Sequence, residues 1–326
     1  MKTNIQRYLS NDPFRDLAEA TVILGGLAGG TRPSTYSFSP GLWNRFFEAL
    51  GLKGKYVAFD LDARENLEPF LKAVLDMPGF LALTITKPYK TLCYDVLKSL
   101  PYTMEISSRS RALGSLNQLV RNPLNHGLIV DRTDGPGFVR ALKKRMPLEG
   151  KKALFIGSGG TALSICCELV CEGMDLTIVD LNEEDAHRMG AVLGPLQKPG
   201  KKLMVNSAWE ALPSLGASCD LIINAMAGVT PFEADAVMKL PESCLLADIH
   251  YDTAKAVFAA TVRGTGRSCV DGLQMRYGQF RFAAEKCGGL LGFPPETLAK
   301  HLDAIEEWFL SQQTVSQKTD SQESPS

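Results

Sequence analysis

The sequence lacks the features that would assign it to several broad protein classes. No apolar run approaches the roughly 18–20 residues that a membrane helix needs, and the amino-terminal stretch has no apolar signal core. No block of like charge stands out, and 35 basic against 36 acidic side chains leave a formal net charge of −1. Electrostatic binding to nucleic acid or anionic lipid is therefore not expected. We interpret the chain as a soluble, cytoplasmic protein without a nucleic-acid or membrane partner.

Sequence signals for a metal site or a disulfide framework are also missing. The eight cysteines include no Cys-x-x-Cys pair and no neighbouring histidine at metal spacing. Buried free thiols in a reducing compartment are the favoured interpretation. The four histidines are scattered and form no His-Glu-x-x-His motif, so we assign none of them as a ligand or a base. No metal is predicted.

What is present is an ordinary globular composition in a chain of 326 residues, with 45% hydrophobic and 22% charged residues. This composition excludes collagen-like, coiled-coil and wholly disordered chains. At roughly 100–200 residues per domain, the length favours two domains. The last stretch, residues 311–326, is rich in Ser and Gln and is predicted to be disordered.

Short apolar runs alternate with helical patterns along the chain, which predicts α/β architecture with parallel sheets. The predicted strands are Thr21–Leu24, Tyr56–Phe59, Phe80–Ile85, Ala153–Ile156, Leu176–Val179, Leu221–Asn224 and Leu245–Ile249. The amino-terminal and middle thirds each carry their own set, which supports two domains. Two further helices, Leu273–Cys287 and Pro295–Phe309, are predicted after the second set.

The strongest motif is a strand that runs into a glycine turn and then a helix. The turn comprises Gly157, Ser158, Gly159, Gly160 and Thr161, and with Ala162 it fits the pattern G-x-G-x-x-G/A. Glycine lets the backbone turn tightly and approach a pyrophosphate, whose charge the helix N–H groups then meet. The motif predicts dinucleotide binding, and a purely structural turn is the alternative.

Asp180 follows the next predicted strand, 20 residues after Gly160. A carboxylate at this position can accept hydrogen bonds from the adenosine ribose hydroxyls, but it repels a 2′-phosphate. No arginine that could clamp a phosphate follows it. The sequence therefore favours NAD over NADP. The alternative is that Asp180 is only a residue at the start of a helix.

Further clusters carry a resemblance to a known family. They are Ser37-Phe-Ser39-Pro40, Thr86-Lys-Pro88-Tyr-Lys90, Gly114-Ser-Leu-Asn117, Thr133-Asp134-Gly-Pro-Gly137, the glycine turn, Asp248-Ile-His-Tyr251 and Gly272-Leu-Gln-Met275 with Gln279. Each piece is short, but their order and spacing are specific. Over roughly residues 20 to 290 the chain resembles the shikimate/quinate dehydrogenase family.

The resemblance implies a domain organisation and an activity. An α/β substrate domain would comprise residues 1–132 with the helices at about 273–310, and a Rossmann-type doubly wound domain that binds NAD(P) would comprise residues 133–272. The expected enzyme is an NAD(P)-dependent dehydrogenase. It would transfer hydride between the nicotinamide and a ring hydroxyl of shikimate, quinate or a related cyclic polyol carboxylate.

The resemblance also implies roles for individual residues. The matching lysine, Lys90, is the acid/base, and the matching aspartate, Asp134, pairs with it and hydrogen-bonds the reacting hydroxyl. The residues implied to hold ring hydroxyls are Thr86, Asn117 and Gln279, and Tyr251 would lie near the carboxylate. Met226 and Gly272 join the glycine turn as residues that bind the cofactor. Without the resemblance, Lys90 would be a solvated lysine and Asp134 a turn or helix start.

Ser37 and Ser39 alternate around Phe38. In an extended stretch both hydroxyls would face one side, and a helix beginning at Pro40 would direct its positive dipole to the same place. This arrangement suits a substrate carboxylate. The alternative is an ordinary helix cap by Ser39.

Several positions depart from the family's pattern. They are Tyr36 in place of His, Thr84 and Arg132 each in place of Asn, Gln118 in place of Thr, and Arg276 in place of Leu. Arg132 lies two residues from Asp134, where it could bind an additional anionic group or act on the Asp134 carboxylate. The alternative is a solvated arginine that points away.

Two other functions stay open at this stage. A methylenetetrahydrofolate-type dehydrogenase shares the two-domain α/β arrangement but would not need the paired serines. A catalytically poor paralogue would bind NAD and a metabolite without turnover, although the retained Lys90 and Asp134 argue against it. The sequence also leaves open which ring acid is used and whether the chain forms a homodimer.

Overall fold

The chain divides into two compact units in the computed structural model, which describes residues 5–15, 17, 23–206 and 208–320. Unit 1 comprises Met1–Thr133 and Phe280–Ser326, and unit 2 comprises Asp134–Gln279. The chain thus leaves unit 1 after residue 133 and returns to it after residue 279, whereas the sequence suggested residues 132 and 272. Residues 273–279 accordingly belong to unit 2 and not to the substrate domain.

Unit 1 contains a six-stranded sheet with the order β2-β1-β3-β5-β6-β4. Its strands are β1 (Ile23–Gly29), β2 (Gly54–Asp60), β3 (Phe80–Ile85), β4 (Met104–Ile106), β5 (Gln118–Arg121) and β6 (Leu128–Asp131). Because β5 is antiparallel to both β3 and β6, the sheet is mixed, and the prediction of a parallel sheet is wrong for this unit. The sequence missed β4, β5 and β6 because such short strands carry little periodic signal.

The helices of unit 1 that precede its exit are α1 (Ser39–Ala49), α2 (Leu67–Leu75), α3 (Lys90–Ser99) and α4 (Ser108–Leu113), with 3₁₀ turns at Pro33–Thr35 and Arg64–Asn66. Strand β1 is rich in glycine because neighbouring rings cross it: a Cβ on Gly25 would collide with the Tyr56 ring, and one on Gly26 with the Phe59 ring. Tyr56 in turn stacks on Trp43, with ring centroids 4.9 Å apart.

One edge of the unit 1 sheet collects strand ends. Strands β1 and β3 are parallel, and β3 and β6 share a direction because both are antiparallel to β5. The carboxyl ends of β1, β3 and β6 therefore lie at the same edge as the beginning of β5. Because residues expected from the sequence to bind substrate lie next to these strand ends, we call this edge the substrate edge of unit 1.

Unit 2 contains a fully parallel six-stranded sheet with the order β12-β11-β10-β7-β8-β9. Its strands are β7 (Lys152–Ile156), β8 (Asp175–Val179), β9 (Leu203–Asn206), β10 (Leu221–Asn224), β11 (Leu245–Asp248) and β12 (Cys269–Val270). This is the doubly wound Rossmann order, with its switch point between β7 and β10. The sequence missed β9 and β12, which are short strands at the two sheet edges.

The helices of unit 2 are α5 (Asp134–Lys143), α6 (Gly160–Cys171), α7 (Glu183–Leu193), α8 (Leu212–Gly216), α9 (Ala234–Lys239) and α10 (Val257–Gly264), with 3₁₀ turns at Gly194–Leu196 and Trp209–Ala211. Since all strands are parallel, the segments that follow β7, β8, β10 and β11 meet at one edge of the sheet. We call it the carboxyl edge of unit 2.

The chain ends with α11 (Gly272–Leu290) and α12 (Pro295–Asp320). Arg281 joins these helices, since its guanidinium donates to Glu285 of its own helix, at 2.7 Å, and to Asp303 of α12. The predicted disordered tail is wrong for residues 311–320, which continue α12. No Pro or Gly interrupts this stretch, and Gln and Lys are good helix formers. Residues 321–326 lie outside the described part of the chain.

Most of the predicted strands are confirmed to within a residue or two. Those at Tyr56–Phe59, Phe80–Ile85, Ala153–Ile156, Leu176–Val179, Leu221–Asn224 and Leu245–Ile249 coincide with β2, β3, β7, β8, β10 and β11. Of the strand predicted at Thr21–Leu24, the last two residues begin β1, and the first two lie outside the described residues. Within the described ranges, no helix has the length and apolarity needed to cross a membrane.

All eight cysteines are free thiols, and five of them are buried, whereas Cys171 is exposed. Burial raises the pKa of Cys244, Cys269 and Cys287 to about 12. These three thiols therefore stay protonated near neutral pH, which makes them poor nucleophiles and poor metal ligands.

Candidate functional site

Lys90 is the first residue of α3, which follows β3 in the chain, and it is half-buried. Its backbone is tied to the segment that precedes β5, because its carbonyl accepts a hydrogen bond from the Leu116 N–H at 3.1 Å. The next residue of that segment, Asn117, accepts at its carbonyl from the Ile85 N–H at 2.8 Å. Lys90 and Asn117 are thus brought together at the substrate edge.

Asn117 is only 2% exposed, and Thr133 fixes the orientation of its amide. The Asn117 Oδ1 atom accepts from the Thr133 N–H at 2.7 Å, and its Nδ2 atom donates to the Thr133 hydroxyl at 3.0 Å. Since an amide oxygen and nitrogen have opposite hydrogen-bonding character, these two contacts allow only one orientation of the group. Thr133, the last residue of unit 1 before the chain enters unit 2, therefore orients Asn117, which is a candidate to bind substrate.

Thr86 follows β3 and lies over β1. A Cβ on Gly29 would collide with the Thr86 hydroxyl, and the Thr86 N–H donates to the Ala28 carbonyl at 3.0 Å. Glycine at the end of β1 thus makes room for this side chain. Thr86 joins Lys90 and Asn117 at the substrate edge.

Ser37 and Ser39 do not have the predicted geometry. Phe38 between them is helical, with φ −81° and ψ −9°, and α1 begins at Ser39 and not at Pro40. The Ser37 Oγ atom accepts from the Ser39 N–H at 3.2 Å, so the two residues form a tight turn and not an extended stretch with hydroxyls side by side. Ser39 is the first residue of the helix and not its cap, so the alternative is also wrong.

Two departures from the family's pattern, Thr84 and Gln118, belong to one partly buried hydrogen-bond network. The Thr84 hydroxyl donates to the Gln118 side-chain oxygen at 3.1 Å and hydrogen-bonds the Tyr56 hydroxyl. Burial raises the pKa of Tyr56, so its phenol stays protonated. The side chains of Thr84 and Gln118 therefore orient each other through a hydrogen bond at the substrate edge. A third departure, Tyr36, is 40% exposed and hydrogen-bonds Thr31 at 3.0 Å.

Arg132 is buried, at 3% exposure, so the alternative of a solvated arginine is wrong. Its Nη1 atom donates to the Ser115 hydroxyl at 2.6 Å. Its backbone N–H donates to the Asp131 carboxylate, which also forms an ion pair of 2.7 Å with Lys286. A backbone N–H and an ammonium thus bind one buried carboxylate at the end of β6.

In unit 2, Asp134 is the first residue of α5, so of the two local conformations that composition allowed, a turn or a helix start, the structure has the helix start. It is 2% exposed, and its Oδ1 atom accepts from the Gln279 Nε2 atom at 2.8 Å. The two helices that carry this pair touch through glycine, since a Cβ on Gly278 would collide with the Gly137 carbonyl oxygen. The structure therefore places Gln279 with the candidate catalytic aspartate.

Replacing Gly278 by alanine is expected to destabilise the fold by about 1–3 kcal/mol, because the new methyl group overpacks a backbone contact. The matched control is Gly289→Ala in the same helix, where a Cβ meets nothing within 4 Å. That change should stabilise the protein by about 0.5–1 kcal/mol, because alanine is the better helix former. Thermal unfolding of both variants checks this prediction. Equal midpoints would show that the glycine contact is not needed.

The glycine turn lies at the carboxyl edge of unit 2, between β7 and α6. Gly157 has φ +108°, which favours glycine, and a Cβ there would lie 3.1 Å from the Met226 side chain. A Cβ on Gly159 or Gly160 would meet nothing within 4 Å, so open space lies above the amino terminus of α6. The half-buried Thr161 stands in the first turn of that helix. These features fit the pyrophosphate of a dinucleotide.

Asp180 follows β8, and the turn residue Ser158 donates its hydroxyl to the Asp180 Oδ2 atom at 2.6 Å. The Oδ1 atom accepts from the Asn182 N–H at 2.8 Å. The cap of α7 is Asn182, whose side chain accepts from the Asp185 N–H. The alternative that Asp180 is only a residue at the start of a helix is therefore wrong, because α7 begins at Glu183 with Asn182 as its cap, and the Asp180 carboxylate is held against the glycine turn.

Gly272 has a packing role in the structure. It is buried, its N–H donates to the His250 carbonyl at 3.1 Å, and a Cβ on it would collide with the Ile249 carbonyl oxygen. Glycine is therefore required here by the close approach of α11 to the segment after β11. Its N–H is used within the protein, so the expectation that Gly272 binds cofactor gains no support from this contact.

The sequence missed one polar pair at the carboxyl edge of unit 2. The His250 Nδ1 atom lies 2.8 Å from the Asp248 carboxylate, and Asp248 is fully buried. Next to this pair, the Arg276 guanidinium stacks on the ring of Tyr251, at 4.1 Å from the ring centroid. A histidine two residues after an aspartate at a strand end was the available signal for the pair. No sequence pattern paired Tyr251 with Arg276.

Comparison with known proteins shows similarity in sequence and in fold to shikimate and quinate dehydrogenases. The shikimate dehydrogenase substrate binding domain family matches residues 31–119. A shikimate dehydrogenase (NADP(+)) from Streptococcus pneumoniae (strain CGSP14) is 30% identical over 249 residues, covering 74% of this chain and 84% of that protein. The quinate dehydrogenase of Corynebacterium glutamicum, solved in complex with NAD, has a TM-score of 0.70 at 25% identity, covering 89% of this chain and 99% of that chain.

A third protein supports the fold alone. The shikimate 5-dehydrogenase of Listeria monocytogenes, solved in complex with shikimate and NAD, has a TM-score of 0.72 at 23% identity. The similarity covers 91% of this chain and 99% of that chain. Taken with the Rossmann strand order of unit 2 and the 30% identity over most of a curated relative, these similarities show that the chain belongs to the shikimate/quinate dehydrogenase family.

Proposed function

We propose that this protein is a nicotinamide-dependent dehydrogenase that acts on a ring hydroxyl of shikimate, quinate or a related cyclic polyol carboxylate. Membership of the family supports the reaction class. In this chain, the main support for the proposal is the buried Asp134 carboxylate, which accepts a hydrogen bond from Gln279 at 2.8 Å. A carboxylate has about four lone-pair sites on its two oxygens, so it can accept from a substrate hydroxyl as well as from Gln279.

Lys90 is proposed as the acid/base. A bound nicotinamide supplies the hydride acceptor for the oxidation. Lys90 takes the proton of the substrate hydroxyl as the carbonyl forms, and in the reverse direction it protonates the developing alkoxide. Asp134 accepts a hydrogen bond from the reacting hydroxyl until that proton passes to Lys90, and Gln279 keeps the carboxylate in that orientation.

The remaining candidate residues are proposed to bind the ring. Thr86 and Asn117 offer a hydroxyl and an oriented amide to ring hydroxyls, each of which needs a partner once water is expelled. The hydroxyls of Ser37, Ser39 and Tyr251 are proposed to bind the carboxylate. The buried guanidinium of Arg132 is a candidate for a changed preference among ring acids, because it replaces a neutral amide of the family's pattern.

NAD is proposed as the preferred cofactor. Ser158 and Asn182 fix the Asp180 carboxylate beside the glycine turn. An oriented carboxylate accepts hydrogen bonds from ribose hydroxyls and repels a 2′-phosphate. The glycine turn and Met226 are proposed to contact the dinucleotide. The protein is further proposed to act in the cytoplasm and to form a homodimer.

The purified protein should reduce NAD in the presence of shikimate or quinate, with a lower rate when NADP replaces NAD. The absorbance of the reduced nicotinamide measures both rates, and each ring acid without protein provides the blank. Activity with NADP above that with NAD would contradict the cofactor assignment. No turnover with either acid and either cofactor would contradict the proposed reaction on these two substrates.

A further inference from the structure

Unit 2 carries a guanidinium held on the face of a tyrosine. The Arg276 Cζ atom lies 4.1 Å from the centroid of the Tyr251 ring. Arg276 belongs to the first turns of α11, and Tyr251 follows β11, so the stack stands at the carboxyl edge of unit 2. Tyr251 is 40% exposed and Arg276 is partly buried. A fixed positive charge therefore accompanies a tyrosine that a ligand can reach.

The carboxylates of Asp248, Asp252 and Asp271, which lie close to Tyr251 or Arg276 in the sequence, are engaged with other groups, and Asp252 pairs with Lys255 at 3.7 Å. Asp248 is fully buried and bonds the His250 imidazole at 2.8 Å. Asp271 accepts from the Leu273 N–H at the start of α11, at 3.1 Å, and pairs with Arg263. Their negative charges are partly balanced by these partners. They consequently oppose the approach of an anionic ligand less than bare carboxylates would.

The contact with Tyr251 orients the Arg276 guanidinium in a way that suits a carboxylate ligand. A guanidinium is planar, and its fork of N–H donors matches the two oxygens of a carboxylate. Contact with the tyrosine face restricts the motion of the guanidinium, so less side-chain freedom is lost when a ligand binds. The Tyr251 hydroxyl is a further donor beside it. A neutral ligand of the same shape would use none of this charge.

We propose that Arg276, oriented by Tyr251, recognises the carboxylate of the substrate and makes the enzyme select ring acids over neutral ring polyols. This inference rests on the proposed function, in which Tyr251 contacts the same carboxylate. It assigns a specificity-determining role to a residue that replaces a leucine of the family's pattern.

The test compares shikimate with its methyl ester, which keeps the ring and removes the charge. In Arg276→Leu, kcat/KM for the acid should fall by about 10–100-fold, as expected for the loss of a charge-assisted hydrogen bond, whereas kcat/KM for the ester should change by less than about twofold. Arg276→Lys should give an intermediate value, because an ammonium keeps the charge without the planar fork. The KM for NAD should not change.

A matched control is available on the same unit. Arg140 also stacks on a tyrosine, with its Cζ atom 5.7 Å from the Tyr277 ring centroid, so Arg140→Leu removes a comparable stack away from Tyr251. It should leave the acid-to-ester ratio unchanged. Equal losses for acid and ester in Arg276→Leu, or a raised KM for NAD, would overturn the inference.

A binding measurement tests this inference independently of the proposed reaction. Calorimetric titration of shikimate and of its methyl ester into the protein with NADH, which cannot accept hydride, in place of NAD gives dissociation constants that do not depend on turnover. Tighter binding of the acid to the unmodified protein than to Arg276→Leu, with equal binding of the ester, supports the inference. Equal affinity of both proteins for the acid contradicts it even if both are inactive, whereas inactivity alone counts only against the proposed reaction.

Discussion

Replacing Lys90 by methionine is expected to lower kcat by about 10²–10⁴-fold, because a positioned acid/base contributes about that factor to a proton-transfer step. Methionine keeps an unbranched side chain of similar length at the start of α3, so the helix and its contact with Leu116 should persist. The KM for the ring acid should change little. Steady-state kinetics in both directions, with NAD and its reduced form, measure these parameters.

The control for this variant is Lys87→Met. Lys87 lies three residues before Lys90, is exposed, and carries the same charge. Its replacement should leave kcat within about twofold, as expected for a surface position without catalytic contact. Circular dichroism and the thermal midpoint of both variants separate catalysis from folding. If Lys90→Met keeps most of the turnover of the unmodified enzyme, the proton must pass to another group and the proposed mechanism is wrong.

The second large effect is expected at Asp180. Changing Asp180 to serine should lower the preference for NAD over NADP by about 30–1,000-fold, since two charges near 4 Å interact by up to about 4 kcal/mol at a protein surface. The change removes the repulsion of a 2′-phosphate and also the carboxylate that would bind the ribose hydroxyls. The Ser158 hydroxyl loses its partner and becomes available to the phosphate.

Comparing kcat/KM for the two cofactors in the unmodified enzyme and in Asp180→Ser gives this ratio. Glu184→Ser is the matched control, because it removes one negative charge from the start of α7 at a side chain that is 86% exposed. It should change the ratio by less than about threefold, since salt screens charges in water. The Asp180 effect should diminish as ionic strength rises. An unchanged ratio in Asp180→Ser would show that another part of the site selects the cofactor.

Much of the fold follows from short-range patterns in the sequence. Buried strands such as Phe80–Ile85 are continuous apolar runs, and a chain that alternates such runs with helical patterns has few ways to cover both faces of a sheet. The glycine turn at 157–160 can be identified because its requirements lie within a few consecutive residues. The position of Asp180 can be predicted from the glycine turn, because the lengths of the helix and of the next strand fix the spacing between the turn and the end of that strand.

Local patterns were least reliable where neighbours in space decide the conformation. The turn at Ser37–Ser39 closes through a hydrogen bond between these residues, whereas alternation alone suggested an extended stretch. The burial of Arg132 depends on Ser115, which lies in a different segment of the substrate edge. Strands β5 and β6 are too short to show a period, and only their pairing with each other and with β3 defines them.

The class of the fold, the dinucleotide motif and the residue types available for catalysis follow from the sequence alone, since each of these depends on neighbours along the chain. Which side chains meet depends on the packing of distant segments. Asp134 and Gln279 are 145 positions apart and approach because glycines let α5 and α11 touch. The stack of Arg276 on Tyr251 likewise joins a helix to a strand end. Such contacts depend on how elements pack, and no local period encodes that packing.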